Sequence, residues 1–500
     1  MEYFIGIDIG TTNAKAVAIT ARGKIWGEER VAYGAIQSLP GQFEQDPDII
    51  CNAVLGILRK LVTKLRPHQP VSIGFSSAMH GLMAVDENGK PLTRLITWAD
   101  TRSTTFAESL ASSTKGPVIY RITGTPIHAM SPLCKLGWMR KALPRIWSKA
   151  KKFISIKEYL FFKLFGSYII DQSIASATGL FDIRKKIWSA EALNEVEISP
   201  AQLSEPVSVF HSESVLDSKL ARSLKVPTGT PFVCGASDGC LANLGTGAID
   251  EFEAAVTIGT SGALRMASRH PVNDPGAILF NYILDDDWYV SGGPINNGGV
   301  VLKWLAEEVL GNKLDTIAEA DQFVKKAFKA PAGSAGLVFL PYLLGERAPV
   351  WDGHARGAFV GLGMQHRSEH LMRAAMEGIS FALTQILAAL ETGEGRVKRI
   401  YASGGFLQSK PWLQMLADIF NKEVWHTSVA DASAVGASMM AMRTSGIIKN
   451  WNNVDQLLPA SKRYLPNKKE QQAYQKNWNV YKNLYGNLKD SLHQLQSQQK

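Results

Sequence analysis

Tyr3-Phe4-Ile5-Gly6-Ile7-Asp8-Ile9-Gly10-Thr11-Thr12-Asn13 lies at the start of the chain and decides how the rest is read. Residues 3–10 are rich in aromatic and β-branched side chains, which suit a pleated, packed surface, so they predict a strand. Thr11-Thr12-Asn13 predicts a turn, residues 14–19 a second strand, 21–23 another turn and 24–32 a third strand. The opening is therefore a β-meander with a Gly-Thr-Thr hairpin near its start and a carboxylate, Asp8, just before it.

The hairpin returns later. Thr257-Ile258-Gly259-Thr260-Ser261-Gly262 repeats Asp8-Ile9-Gly10-Thr11-Thr12-Asn13 at an offset of 249 residues. Each copy follows an apolar strand and precedes a short one. This predicts two like domains, 1–245 and 246–500, whose hairpins face each other across a cleft. Between and after the copies, helical spacing marks residues 49–65, 132–141, 155–165, 300–310, 369–390, 409–420 and 432–442. Residues 71–76, 83–86, 232–235 and 399–403 read as strands. Strand and helix alternate, so the expected class is α/β.

Composition narrows the function. Hydrophobic residues make up 45% and charged residues 20% of the 500, as in globular proteins rather than disordered or fibrous ones. The longest uncharged, mainly apolar run spans residues 330–345 and holds two prolines, short of the ~18 apolar residues a membrane helix needs. The N-terminus has no basic stretch followed by an apolar one. No membrane partner and a cytoplasmic location are expected. The four cysteines form no C-x-x-C pair and have no histidines spaced for zinc, so buried reduced thiols are expected.

Net charge is +9, and residues 462–500 carry eight basic residues against two acidic ones. A nucleic-acid partner would need a basic stripe with stacking aromatics. Here Tyr474, Trp478, Tyr481 and Tyr485 fall on one face of a helix, which favours a docked amphipathic helix instead. Residues 494–500 are expected to fray.

Five clusters carry chemistry. At Gly10-Thr11-Thr12-Asn13 the backbone can approach a phosphate closely, and N–H groups and hydroxyls can donate to it. Asp8 is placed to hold Mg²⁺ through water. Gly235-Ala236-Ser237-Asp238-Gly239 puts a carboxylate after a strand and before a helix of small residues, which suits either a general base or a helix cap. Ser76-Ser77-Ala78-Met79-His80-Gly81 gathers polar groups at a strand end, where open α/β sheets bind ligands. Trp98-Ala99-Asp100-Thr101-Arg102 offers a polyol an aromatic face, a hydroxyl acceptor and a cation for a carboxylate, or else forms a turn closed by its own ion pair. Ser403-Gly404-Gly405-Phe406 admits a flat base or a diphosphate. Neither the P-loop pattern nor G-x-G-x-x-G occurs, which argues against P-loop enzymes and nicotinamide dehydrogenases.

In this order the motifs resemble the FGGY carbohydrate kinases, over nearly the whole chain. Residues 7–12 resemble that family's first phosphate motif, 235–239 its catalytic aspartate motif and 257–262 its second phosphate motif. Leu340 to Pro349 with Ala355 to Phe359 resembles the signature segment, and 403–406 the adenosine motif. The resemblance implies two actin/hexokinase-like (ribonuclease H-like) domains flanking a deep cleft, with sugar on residues 1–245 and ATP on 246–500. It implies a carbohydrate kinase using ATP and Mg²⁺, with Asp238 as base. Met79, His80, Trp98, Asp100, Arg102 and Asp171 would hold sugar, and Gly10, Thr11, Thr12, Asn13, Gly259, Thr260, Ser261, Gly404 and Gly405 would hold nucleotide. Asp8 and Asp238 would face the metal. Residues 77–82, 96–102 and 124–132 look most like the gluconate kinases of the family. Xylulose kinases share Met-His-Gly and Trp-x-Asp-x-Arg, and so stand as the alternative. Gly239 departs from the Asn or Gln that many members carry. A non-catalytic or chaperone-like ATPase of the same fold is a more distant alternative. Dimers are frequent in the family, so a homodimer is an expected assembly, though no stretch marks an interface.

Overall fold

A computed structural model of the chain describes residues 2–214, 216–392, 395–405, 409–452, 454–459 and 461–498. The opening meander forms as its sequence predicts. Tyr3–Ile9 runs antiparallel to Asn13–Thr20, with Asp8 opposite Lys15, and Asn13–Thr20 pairs in turn with Ile25–Ala32. On its other edge Tyr3–Ile9 pairs in parallel with Pro70–Ser77, which pairs in parallel with Phe232–Ser237. Ser212–Glu213 closes that edge. Both faces of the parallel strands are covered, which is why Phe232–Ser237 is a continuous buried run rather than an alternating one.

The second sheet repeats the plan. Tyr289–Ile295, Gly262–Ser268 and Glu253–Ile258 form the antiparallel meander, and Arg399–Ser403 and Glu423–His426 add the two parallel strands. Phe280–Ile283 and Lys462–Tyr464 extend its edges. The short sequence repeat is thus one corner of a repeated sheet.

Helices Pro47–Lys64 and Ile156–Phe165 pack one face of the first sheet through Val54, Leu58, Leu61 and Leu160. The opposite face is covered by a helix from far along the chain, Ala432–Thr444. Glycines allow the approach: a Cβ at Gly6 would lie 1.8 Å from the Ala434 carbonyl oxygen, and one at Gly74 2.1 Å from that of Ala437. The same helix crosses Asp238–Thr246 through Gly245 and Gly436, each leaving no room for a side chain. The two halves are therefore joined at a pair of tightly crossed helices, and residues 432–444 lie on the first sheet.

The second core is built round Ser368–Glu391. Among the described residues this is the one helix long and apolar enough to cross a membrane, and 83% of its apolar window is buried inside the fold, as in a core helix. Residues 300–310, read as one α-helix, divide into an α-helix, Gly299–Trp304, and a wider π turn, Leu305–Val309. The tail helix Lys468–Ser497 docks by Tyr474, Tyr481 and Tyr485, and Tyr481 meets Tyr342 hydroxyl to hydroxyl at 3.3 Å. Residues 494–497 are helical, which corrects the expectation that they fray; residues 499 and 500 lie outside the described residues. All four cysteines are buried free thiols.

Candidate active site

The site lies where Asp8, Asp238 and Arg265 come close enough to feel one another's charge. In the first hairpin the Gly10 N–H donates to the Asn13 carbonyl at 3.1 Å. In the second the Gly259 N–H donates to that of Ser261 at 2.8 Å. The second hairpin is held by the chain behind it. The Gly299 and Val300 N–H groups donate to the Gly259 and Thr260 carbonyls, and a Cβ at Gly298 would lie 2.6 Å from the Ser261 oxygen. Thr11 accepts from Trp98 Nε1 at 2.9 Å and from Gln45 Nε2, at its backbone oxygen, at 2.6 Å. The Thr11 hydroxyl thus keeps its own proton to donate outward. Asn13 Nδ2 donates to the exposed Thr12 hydroxyl.

Asp238 is the first residue of its helix, and Ser237 occupies the cap position without a side-chain cap bond. Among the described residues the Asp238 carboxylate accepts only the N–H of Gly239, at 2.8 Å, so the capping alternative leaves it largely unemployed. Burial, and then the neighbouring charge of Asp8, push its pKa up to about 6; Arg265 pulls the other way. Asp8 is also raised, chiefly by burial, against the hydrogen bond it accepts from Ser76 at 2.7 Å and the charge of Lys15. Two strained carboxylates therefore face one space. Among the described residues no cluster of three or more His, Cys, Asp or Glu side chains forms a metal cage. A divalent cation between Asp8 and Asp238 would fill its shell with water and phosphate oxygens, a donor set that suits Mg²⁺.

The expected sugar residues separate into two groups. Met79 lies in the site, with its Cε 2.9 Å from where a Cβ of Gly239 would be. Trp98 borders it through Thr11, but the Arg347 guanidinium from the other half lies 4.6 Å from its ring centroid, so that face is not open to a polyol. His80 has both ring nitrogens engaged, Nδ1 with the Ala177 carbonyl at 2.8 Å and Nε2 with the Tyr282 hydroxyl at 3.3 Å. Burial and then Lys135 hold its pKa down to about 3, so it is neutral and orients Tyr282.

Asp100, Arg102 and Asp171, expected as sugar ligands, each have protein partners in this structure. The Arg102 guanidinium pairs with Asp100 at 2.7 Å and with Glu44 at 2.5 Å and lies over Trp138. Both Asp100 oxygens are filled by Arg102, with the Phe43 N–H adding a further bond. The alternative of a turn closed by its own ion pair holds, with a third partner in Glu44. Asp171 caps a short helix by accepting the Ile174 N–H and pairs with buried Lys157 at 2.7 Å.

Three groups were missed. Tyr282 and Arg347 reach the site from the second half, and Arg265 lies beside Asp238. Arg265 had a signal: it is the one charge in the apolar strand Gly262–Ser268.

At the second half's glycine pair, Gly404 has φ +114° and a Cβ there would lie 2.3 Å from the Ile258 oxygen. Gly405 opens onto a cavity of about 330 Å³ walled by Leu302, Leu314, Phe323 and Val324. Phe406, the last residue of that motif, lies outside the described residues. A larger groove of about 910 Å³, by Tyr120, Asp274 and Trp351, contains none of the carboxylates described above.

Comparison with known proteins agrees with this architecture. Residues 3–245 match the N-terminal domain of the FGGY family of carbohydrate kinases, and residues 254–445 its C-terminal domain. A gluconokinase of Bacillus licheniformis is 41% identical over 508 aligned residues, covering all of this chain and 98% of the relative. Two Lactobacillus acidophilus structures, described as a ligand-bound xylulose kinase and a gluconate kinase, superpose with TM-scores of 0.95 at 35% identity. Each alignment covers 99% of this chain and at least 99% of the other. The fold is the two-domain, actin/hexokinase-like α/β kinase fold. The chain belongs to the FGGY family of carbohydrate kinases, phosphotransferases with an alcohol group as acceptor.

Proposed function

We propose that the chain transfers the γ-phosphoryl group of ATP to the terminal hydroxyl of a sugar acid, converting D-gluconate to 6-phospho-D-gluconate. The observation that carries the chemistry is Asp238, a carboxylate at the start of a helix with a pKa of about 6, close enough to Asp8 of the first hairpin's strand and to Arg265 of the second half to feel both charges. It accepts the hydroxyl proton as the oxygen attacks phosphorus. Residues 1–245 hold most of the sugar, with Met79 beside it and Tyr282 reaching in from the second half. Residues 246–500 hold the nucleotide, with the base in the cavity beside Gly405. The N–H groups and hydroxyls at Thr11, Thr12, Asn13, Thr260 and Ser261 donate to phosphate oxygens. Asp8 and Asp238 are the residues that would hold Mg²⁺ through water, and the ion would supply charge neutralisation at the phosphate oxygens. The rest of the rate enhancement is positioning and fixed dipoles.

The choice of gluconate is supported by the 41% identity to a gluconokinase along the whole chain. Xylulose kinase is the second reading, favoured by the equal superposition on a structure of that description. The test is ADP release with ATP and Mg²⁺ against D-gluconate, L-idonate, D-xylulose, L-ribulose, glycerol and L-fuculose. High kcat/KM for gluconate alone upholds the proposal. Preference for a neutral sugar removes the sugar acid, and fast hydrolysis of ATP with no acceptor removes the kinase reading of the site.

A further inference from the structure

A guanidinium in a site of restricted water access needs an anion or several acceptors. Arg265 has neither. Its Nη1 is buried with no hydrogen-bond partner, and no ion pair within 4 Å involves its side chain among the described residues. The neighbouring arginine differs: Arg347 donates from Nε to Asn296 Oδ1 at 2.7 Å and lies over Trp98. Leaving a charged donor unsatisfied costs on the order of kcal/mol, so folds rarely tolerate it without use.

The backbone around Arg265 is shaped for it. Leu264 and Met266 point into the second core, so Arg265 points the opposite way, towards the first half. There it meets the residue after the base. A Cβ at Gly239 would lie 3.3 Å from Arg265 Nε and 2.9 Å from Met79 Cε. Gly292, opposite on the next strand, likewise has no room for a side chain, as its Cβ would lie 2.8 Å from the Arg265 Cα. Met79 and the arginine together fill the space that any side chain at 239 would take. Asp238 is close enough to feel its charge and too far to pair with it.

We infer that Arg265 is the specificity residue of this site, donating its free guanidinium N–H groups to the carboxylate of the sugar acid whose terminal hydroxyl faces Asp238. This rests on the sugar-acid reading above. The γ-phosphate is the other anion within the cleft. The sugar carboxylate and the γ-phosphate are told apart by the experiment, since the first changes with the acceptor and the second does not.

The experiment uses D-gluconate and D-glucitol, which share every hydroxyl and differ in a carboxylate against a neutral alcohol. Both are titrated calorimetrically, without nucleotide, into wild type, Arg265→Met and Arg265→Lys. Losing charge-assisted bonds to a carboxylate should weaken gluconate about 10- to 100-fold in Arg265→Met and leave glucitol within about 2-fold. Arg265→Lys should recover part of the gluconate affinity, since it keeps the charge without the fork. Tight gluconate binding by Arg265→Met, or equal weakening of both ligands, overturns the assignment. A loss confined to KM for ATP and kcat, equal for all acceptors, overturns it in favour of the γ-phosphate. If Arg265→Met fails to fold, Arg265→Lys decides by the same ratio. Wild type that binds D-xylulose and not gluconate overturns the sugar-acid reading instead, an outcome distinct from gluconate-binding wild type with an indifferent variant.

Discussion

Replacing Asp238 by Asn should cripple turnover and stabilise the protein at the same time. The carboxylate's ordinary pKa of 3.8 rises to about 6, first through burial and then through Asp8. A group whose pKa is raised on folding binds its proton more tightly in the folded state. That advantage is full below about pH 4 and is lost as the pH rises through about 6. Above pH 6 the wild type therefore carries an ionised carboxylate that the fold disfavours by about 2–3 kcal/mol, the lower figure allowing for water at its partly exposed edge. Asn keeps the shape and removes the charge. Arg265 then loses its nearest counter-charge, which trims the gain.

At pH 7.5 the variant should melt roughly 2–6 °C above wild type, the range depending on how many of the residues unfold together. At pH 4 the two should melt within about a degree. Turnover should fall on the order of 10²–10⁴-fold, the usual contribution of a positioned base. Differential scanning fluorimetry across pH and a coupled ADP assay measure both. If the variant turns over like wild type, or melts lower at pH 7.5, Asp238 is a structural residue of its helix and the assignment of the base is wrong.

Four further outcomes follow from the same geometry. The kcat/KM for the sugar should fall tenfold per pH unit below about 6, because protonated Asp238 accepts nothing; a flat profile from pH 5 to 8 would count against it. Arg102→Met should lower the melting temperature, since it strands the buried Asp100 carboxylate at a cost of about 3–5 kcal/mol, and should change KM for gluconate and for a neutral sugar by the same factor. Gly405→Leu, with nothing within 4 Å of its Cβ, should leave melting nearly unchanged yet raise KM for ATP at least about tenfold by filling the apolar cavity, as read from ATP titrations. Asp8→Asn should raise the Mg²⁺ concentration needed for half-maximal rate, in a titration at fixed ATP, more than it raises KM for the sugar.

What could be read from the chain alone was what is local. Strand ends, hairpins and the helix after Asp238 depend on neighbours a few residues away, and each lies within a few residues of its expected place. The repeat at 8–13 and 257–262 pointed to a doubled sheet because a turn of that shape needs small residues at the same positions. Charge pairing between residues far apart in the chain was not legible. Asp100 and Arg102 are neighbours, but whether their cation is spent depends on Glu44, 58 residues before it. Asp171 looks like a free acceptor until Lys157 is brought across from the preceding helix. The helix Ala432–Thr444 covers the first sheet only because Gly6 and Gly74 leave it room, a condition set more than 350 residues away.

The same contrast separates scaffold from site. Lys157 with Asp171, and Asp100 with Arg102 and Glu44, are ions that the fold neutralises for itself. They hold loops in register and have little left to offer a ligand. Asp8, Asp238 and Arg265 are left unbalanced, and each is displaced from its ordinary titration by burial before any neighbour acts. Unmatched charge in a cleft is destabilising, so the folded chain is poorest in stability where it has the most to gain from ligands. A cation beside the two carboxylates, and an anion beside the arginine, each relieve that cost. Sugar and nucleotide bound together relieve both, so the two ligands are expected to stabilise the folded chain more in combination than either does alone.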